Sequence, residues 1–124
     1  MAKQHSIVIV EADIFLNRLY QNKFGSAGWS VVVTTDGPSC LKKIKQIKPD
    51  VILLDLDLPT PDGWFILNSL KTDQVSRDIP VVILTNLSSR ADVKKAKSLG
   101  AAEFLIKAHF LPSEVVAAVG RQIK

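Results

Sequence analysis

Glu11, Asp13, Asp55, Asp57, Thr85, Asn86 and Lys107 all stand just after short aliphatic runs. Ile7-Val8-Ile9-Val10 precedes Glu11-Ala12-Asp13, and Val51–Leu54 precedes Asp55 and Asp57. Val81–Leu84 precedes Thr85-Asn86, and Phe104–Ile106 precedes Lys107. If these runs are parallel strands of one sheet, their carboxyl ends bring carboxylates, a hydroxyl and an ammonium to a single edge. That edge is where open α/β sheets bind ligands. Two carboxylates about 4 Å apart repel by on the order of 4 kcal/mol at an effective dielectric near 20, so something cationic must offset them. A hard divalent ion such as Mg²⁺ takes oxygen ligands, retains waters and suits an open acidic cleft. Lys107 supplies further positive charge. Asp13, ahead of Ile14-Phe15-Leu16, also reads as an ordinary helix N-cap. Asp55, straight after four aliphatics, reads as functional.

The elements that must position these groups are legible as an alternation. The aliphatic runs, with Val31–Val33 as a fifth, are mostly β-branched and continuous, the pattern of strands covered on both faces. Between them the period turns helical. Leu16, Leu19, Tyr20, Phe24 and Ala27 fall on one face, ended by Gly28. Leu41, Ile44 and Ile47 follow Gly37-Pro38, where proline suits a first turn. Phe65, Ile66, Leu67 and Leu70 follow Asp62-Gly63. Val93, Ala96 and Leu99 precede Gly100, a C-terminal stop. Val115, Val116, Val119 and Ile123 form the last stripe, opened by Pro112 and Ser113. Five β-α units predict a doubly wound five-stranded parallel sheet with helices on both faces.

The 124 residues suit one domain over 1–124. Apolar residues at 47% and charged residues at 23% argue against disorder. No aliphatic run nears the roughly 20 residues of a membrane span. Cys40 is the single cysteine, which excludes an internal disulfide or a cysteine-rich zinc site and fits a reducing cytoplasm. Cys40 is expected to be buried and unreactive, and His5 and His109 to be surface residues. Trp29 and Trp64 are expected to be packing or partly exposed residues. GxxxxGK[ST] and GxGxxG are both absent, which argues against a P-loop or a dinucleotide site. The net charge of +4 lies in residues 90–124, with seven Lys/Arg against three Asp/Glu. That stretch is either a solvated helix face or a surface for an acidic partner.

Taken in order, IVIVEAD (7–13), DVILLDLDLPTPDGW (50–64), IPVVILTN (79–86) and LGAAEFLIKAHF (99–110) resemble the receiver domain of two-component response regulators, including stand-alone chemotaxis regulators. The resemblance covers nearly the whole chain and implies a flavodoxin-like sheet of order 2-1-3-4-5. It implies that Asp55 is the phosphoacceptor, attacking phosphorus to form an aspartyl phosphate. It implies that Glu11, Asp55 and the backbone carbonyl of Asp57 hold Mg²⁺. Thr85 is implied as the switch hydroxyl, Lys107 as the lysine that pairs with phosphoryl oxygen, and Phe104 as the switch aromatic. Pro59, Asp62 and Gly63 match the loop that shapes the site. Any catalysis would be self-catalysed phosphotransfer and dephosphorylation, not metabolic chemistry. The implied partners are a sensor histidine kinase or phosphotransfer protein, and a downstream protein reached through the basic 90–124 region, where phosphorylation is implied to switch the helix 4–strand 5–helix 5 surface. Direct DNA binding and a membrane anchor are not expected.

Two positions depart from the family pattern. The acidic pair is Glu11-Ala12, so the residue that normally ligates the metal directly is a methyl group. Asp13, one residue on, is the only nearby substitute. Lys107-Ala108 replaces a common Lys-Pro, so the usual cis bond is not expected. The sequence therefore supports two functions: a phosphorylatable receiver with weakened Mg²⁺ binding, or a pseudo-receiver that binds partners with little phosphotransfer.

Overall fold

The computed structural model describes residues 4–59 and 62–123. In chain order the elements are β1 (Ser6–Val10), α1 (Ile14–Ser26), β2 (Ser30–Thr34), α2 (Gly37–Ile47) and β3 (Val51–Leu54). They continue with α3 (Gly63–Thr72), β4 (Val81–Thr85), α4 (Arg90–Ser98), β5 (Glu103–Ile106), a 3₁₀ turn (Lys107–His109) and α5 (Pro112–Gly120). The strands form one parallel sheet in the order β2-β1-β3-β4-β5, as expected.

Side-chain alternation along each strand sorts the core into two layers. Val8, Val10, Ile52, Leu54, Val81 and Ile83 face Ile44 of α2, Ile66, Leu67 and Leu70 of α3, and Ala96 of α4. Ile7, Ile9, Val51, Leu53, Val82 and Leu84 face Tyr20 and Phe24 of α1 and Val115 and Val119 of α5. Full burial of one such side chain is worth roughly 1.5–3 kcal/mol, so these two layers, more than intrinsic propensity, hold helices this short. The strand order reverses between β1 and β3, whose tips carry Glu11 and Asp55.

The local stop and start signals are used as the sequence suggests. Asp13, Asp36, Asp62 and Ser89 cap α1 to α4 by accepting backbone N–H bonds, and Gly28 and Gly100 adopt positive φ just past α1 and α4. Three expectations fail for geometric reasons. β2 and β5 are the edge strands, so Val31–Val33, Phe104 and Ile106 are half-buried rather than covered on both faces. In α1 the inward stripe is Asn17-Tyr20-Phe24, which leaves Leu19 exposed and Ala27 outside the helix as its C-cap. Ile47 and Phe65 lie off the buried stripes of α2 and α3 and face solvent. Cys40 is buried, as expected, and burial pushes its thiol up to about 12, out of the reactive range. His5 and His109 are exposed, while Trp29 and Trp64 are half-buried.

Candidate functional site

The ends of β1, β3 and β5 bring Glu11, Asp55 and Lys107 together. The Lys107 ammonium lies 2.5 Å from Glu11 Oε1 and 2.7 Å from Asp55 Oδ2. All three side chains are at least nine-tenths buried. The remaining carboxylate oxygens are also used. Asp55 Oδ1 accepts the Asp57 N–H at 3.0 Å, and Glu11 Oε2 accepts the Asp13 N–H at 3.1 Å. Beneath the triad a narrow void lined by Tyr20, Leu53 and Leu84 is too small for water, so the carboxylates rest on an apolar floor. Above it opens a cleft of about 320 Å³ lined by Glu11, Asp13, Asp55, Asp57, Asn86 and Lys107, with Ala12 and Leu16 completing the wall.

This setting perturbs the ionisable groups in opposed ways. Burial pushes the Glu11 carboxyl above its usual range; the Lys107 hydrogen bond pulls it back, and the Asp55 charge pushes it up again. For Lys107 burial is the largest single influence and favours the neutral amine. The hydrogen bonds to Asp55 and Glu11 together outweigh it, so the ammonium is held above its ordinary value. The lysine is thus a fixed positive charge at neutral pH.

The backbone around the triad is tightly tied. Asp55 N donates to Val10 O at 3.0 Å and Glu11 N to Thr34 O at 3.1 Å. Asn17 Nδ2 donates to both Glu11 O and Thr34 O, at 3.0 and 3.1 Å, joining α1 to the tips of β1 and β2. Gly63 packs against the loop after β3 with its N–H on Leu56 O at 3.1 Å, and Asp62 caps α3 through the Phe65 N–H at 3.0 Å. Pro59 is exposed at the end of that loop, while Thr60 and Pro61 of the matched motif lie outside the described residues.

The other expected site residues are placed less centrally. Thr85 is fully buried at the end of β4, where its Oγ1 accepts the Leu87 N–H in a long bond of 3.4 Å. The Asp57 side chain is exposed. Asp13 Oδ1 is engaged as the N-cap of α1, accepting the Leu16 N–H at 3.0 Å. Phe104 is half-buried against the α2–α4 layer. The sequence reading places Tyr20 on the apolar face of the first helix but does not single out Asn17. The signal for Asn17 is an asparagine in register with the apolar Tyr20 and Phe24, three and seven positions on, where a polar residue needs a buried partner.

The chain matches the family model of the response regulator receiver domain over residues 7–119. It is a receiver domain. Among relatives, this receiver is 38% identical over 101 residues to the response regulator PleD of Caulobacter vibrioides, covering 81% of this chain and 22% of that protein. The chain spans a fifth to about half the length of the curated relatives it matches. In fold it superposes on the chemotaxis protein CheY4 of Vibrio cholerae with a TM-score of 0.91 at 22% identity, covering 98% of this chain and 100% of that one. It also superposes on response regulator Rcp1, a structure in its Mn²⁺-bound form, with a TM-score of 0.83 at 27% identity, covering 93% and 91%.

Receiver domains generally bind Mg²⁺, so the donors of this receiver must be tested against that ion. Glu11 and Asp55 point at one position, since a single ammonium reaches both. Ala12 offers no donor, and Asp13 is occupied as a cap. Among the described residues no three His, Cys, Asp or Glu side chains converge as a metal-ligating group. Side chains alone therefore supply two carboxylates, a number with which Mg²⁺ binds while retaining several waters, and both already bear the Lys107 ammonium.

Proposed function

We propose that this chain is a phosphorelay receiver that accepts a phosphoryl group on Asp55. The observation that carries the reading is the Lys107–Asp55 contact of 2.7 Å at the topological reversal of the sheet. A carboxylate oxygen of Asp55 attacks phosphorus in line, the P–N bond of a phosphohistidine or the P–O bond of an acyl phosphate breaks, and the leaving group departs with the electron pair. Lys107 stays beside the transferred group and balances the charge on its oxygens. Bound Mg²⁺ would add charge neutralisation on those oxygens; Glu11, Asp55 and the Asp57 carbonyl are the donors for it, with Asp13 at the rim, and Ala12 weakens the site. A pseudo-receiver with little phosphotransfer is the second reading, and Ala12 is the observation that favours it.

The deciding experiment is incubation with acetyl phosphate and Mg²⁺, read by intact mass. The native chain is expected to gain one phosphoryl group and Asp55→Asn none. Ala12→Asp should bind Mg²⁺ more tightly and label faster. An unlabelled native chain together with an unlabelled Ala12→Asp variant would leave the pseudo-receiver reading.

Switching is expected to run through Thr85, whose hydroxyl turns toward the phosphoryl group and draws the β4–α4 segment with it. Lys95 of α4 lies 4.3 Å from the ring of Trp64 in α3, so Trp64 fluorescence reports displacement of α4. Thr85→Ala should label at close to the native rate yet lose the phosphorylation-dependent fluorescence change. An undiminished change in that variant would remove Thr85 from the switch.

The donor protein is a sensor histidine kinase or phosphotransfer protein. Ile14 and Phe15, 65% and 89% exposed, begin α1 beside the cleft and offer it an apolar landing. Phe15→Ser should slow labelling by a phosphohistidine protein roughly tenfold and leave acetyl phosphate labelling unchanged, because only the former needs an interface. Equal slowing with both donors would refute the docking role. The output face is the exposed basic side of α4, Arg90, Lys94, Lys95 and Lys97, suited to an acidic protein rather than to DNA. Lys107 belongs to the site and not to that face, and Lys124 lies outside the described residues. No described helix is long and apolar enough to cross a membrane. The buried, reduced Cys40 suits a cytoplasmic setting.

A further inference from the structure

The open sheet has two edge strands, and they differ in kind. β5 contains Glu103, whereas β2 is Ser30-Val31-Val32-Val33-Thr34, with no charge and no proline. The pairing of β2 with β1 runs unbroken from Ser6 opposite Ser30 to Val10 opposite Thr34, so no bulge turns the strand aside. Charge, proline and bulges are the devices that keep edge strands from pairing with other chains, and β2 has none of them. Its free backbone groups can be assigned. The Ser30 N–H donates to His5 O at 2.8 Å, and Thr34 O accepts the Glu11 N–H at 3.1 Å, so Ser30 and Thr34 are turned to β1. Backbone direction alternates along a strand. Val32 is therefore turned to β1 as well, and the N–H and C=O of Val31 and Val33 point out of the sheet. Among the described residues no strand lies beyond β2. On the α1 side a groove of about 490 Å³ runs beside it, lined by Gln21, Asn22, Gly25, Ser26, Trp29 and Val31, with no charged side chain.

We propose that β2 is a homodimer interface, at which β2 of a second copy pairs antiparallel about a two-fold axis through Val32. The register follows from which groups are free. Centred on Val32, Val31 of each copy stands opposite Val33 of the other, and the two pairs exchange four N–H···O bonds. Centring on Val31 would call on the Trp29 N–H, which Phe24 O already accepts at 3.0 Å. The charge pattern selects a second copy as the occupant. A two-fold axis sets like against like, so a self-pairing surface must carry no unbalanced charge at its centre. β2 and its groove meet that condition. An acidic or basic partner strand would find no counter-charge in either. Val31 and Val33 pack on the α1 side of the sheet, so Val33 of the second copy enters the groove beside Trp29. Ser30 of the second copy stands opposite Thr34 in a non-hydrogen-bonded pair, where side chains come closest. Thr34 Oγ1 is the buried side-chain polar atom that lacks a hydrogen-bond partner among the described residues. A turn about χ1 brings it to that serine hydroxyl, a cross-strand pairing that stabilises sheets. β2 and β5 are opposite edges, so the dimer leaves α4 uncovered.

Sedimentation velocity and amide hydrogen exchange by NMR, both over a concentration series of the native chain, test this. Sedimentation should show a dimer whose fraction grows with concentration. The Val31 and Val33 amides should exchange freely in dilute protein and slow in step with the dimer fraction. The Val32 amide, turned to β1, should be protected throughout. A chain that stays monomeric up to about 1 mM would overturn the proposal. A dimer in which Val31 and Val33 still exchange freely would place the contact elsewhere and overturn it equally. Val33→Pro gives a second reading. The proline removes an N–H that no group within the chain accepts, so the monomer keeps its ladder bonds, while by symmetry the dimer loses two. Dimerisation should weaken roughly tenfold or more, each lost bond leaving a carbonyl unpaired. A folded Val33→Pro chain that dimerises as the native one does would refute the register. The exchange measurement on the native chain decides alone if that variant does not fold.

Discussion

Lys107→Met is expected to lose about 3–5 kcal/mol of stability at pH 7, the range for removing one partner of a buried ion pair. The cost comes from what is left behind. Glu11 and Asp55 are 3% and 4% exposed, rest on an apolar floor and repel each other. With typical domain stabilities of about 5–15 kcal/mol, the variant should still fold in most of that range. Its pH dependence carries a distinctive sign. Burial already raises the Glu11 carboxyl, and the Lys107 hydrogen bond is the largest influence opposing it. Without that bond the folded-state value rises further above the unfolded one. A raised carboxyl favours the folded state at low pH, and that stability is lost as pH climbs from the unfolded value through the folded one. Chemical denaturation at pH 5 and pH 7 should therefore show Lys107→Met regaining ground at pH 5. The native pairing works in a different window. Lys107 is raised, so its contribution is complete below its unfolded value of 10.5 and is lost as pH rises through the folded value above it. A variant that loses stability in parallel with the native chain from pH 7 to pH 5 would show that Glu11 does not feel Lys107.

Why the sequence revealed the edge but not its wiring follows from which forces act locally. β1, β3 and β4 were legible because a central parallel strand is apolar on both faces, and Val-Ile runs show no other purpose. The same argument misled at β2, because sequence composition does not say which strand lies at the edge. Asp55 stood out as a charge directly after four buried aliphatics, and the need for a cation followed from charge alone. That the cation is an ammonium shared by two carboxylates depends on the height of β5 relative to β1 and β3, a register no local pattern records. Asn17 was hidden by the choice of stripe. Counting from Leu16 and Leu19 selects an apolar face, whereas the buried face runs through Asn17, Tyr20 and Phe24. The sequence places Thr85 at the cleft, and only the fold shows its hydroxyl turned to the Leu87 N–H.

Gly63→Ala should be more damaging than the same substitution at Gly25, Gly28, Gly100 or Gly120. A Cβ at Gly63 would lie 2.3 Å from Leu56 Cα and 2.6 Å from Asp55 O, both backbone atoms that no rotamer change can clear. Leu56 and Leu58 anchor the same loop in the core, so it has little room to retreat. The start of α3 must then move away, breaking the Gly63 N–H bond to Leu56 O. Overpacking a rigid contact costs typically about 1–3 kcal/mol, and a backbone-to-backbone clash belongs at or above the upper end. Gly25→Ala is the control, since nothing lies within 4 Å of a Cβ there. In α1 the added methyl should be neutral or stabilise by up to about 1 kcal/mol. Thermal unfolding of the two variants should thus move in opposite directions. The site shares the consequence, because the displaced loop carries the Asp57 N–H that orients Asp55 Oδ1. Asp55 would keep Lys107 and lose its second fixed bond, so acetyl phosphate labelling of Gly63→Ala should fall more than its residual folded fraction accounts for. An unchanged melting temperature would mean that the contact between α3 and the β3 loop yields at no cost, and the tight seating of Asp55 would then need another cause.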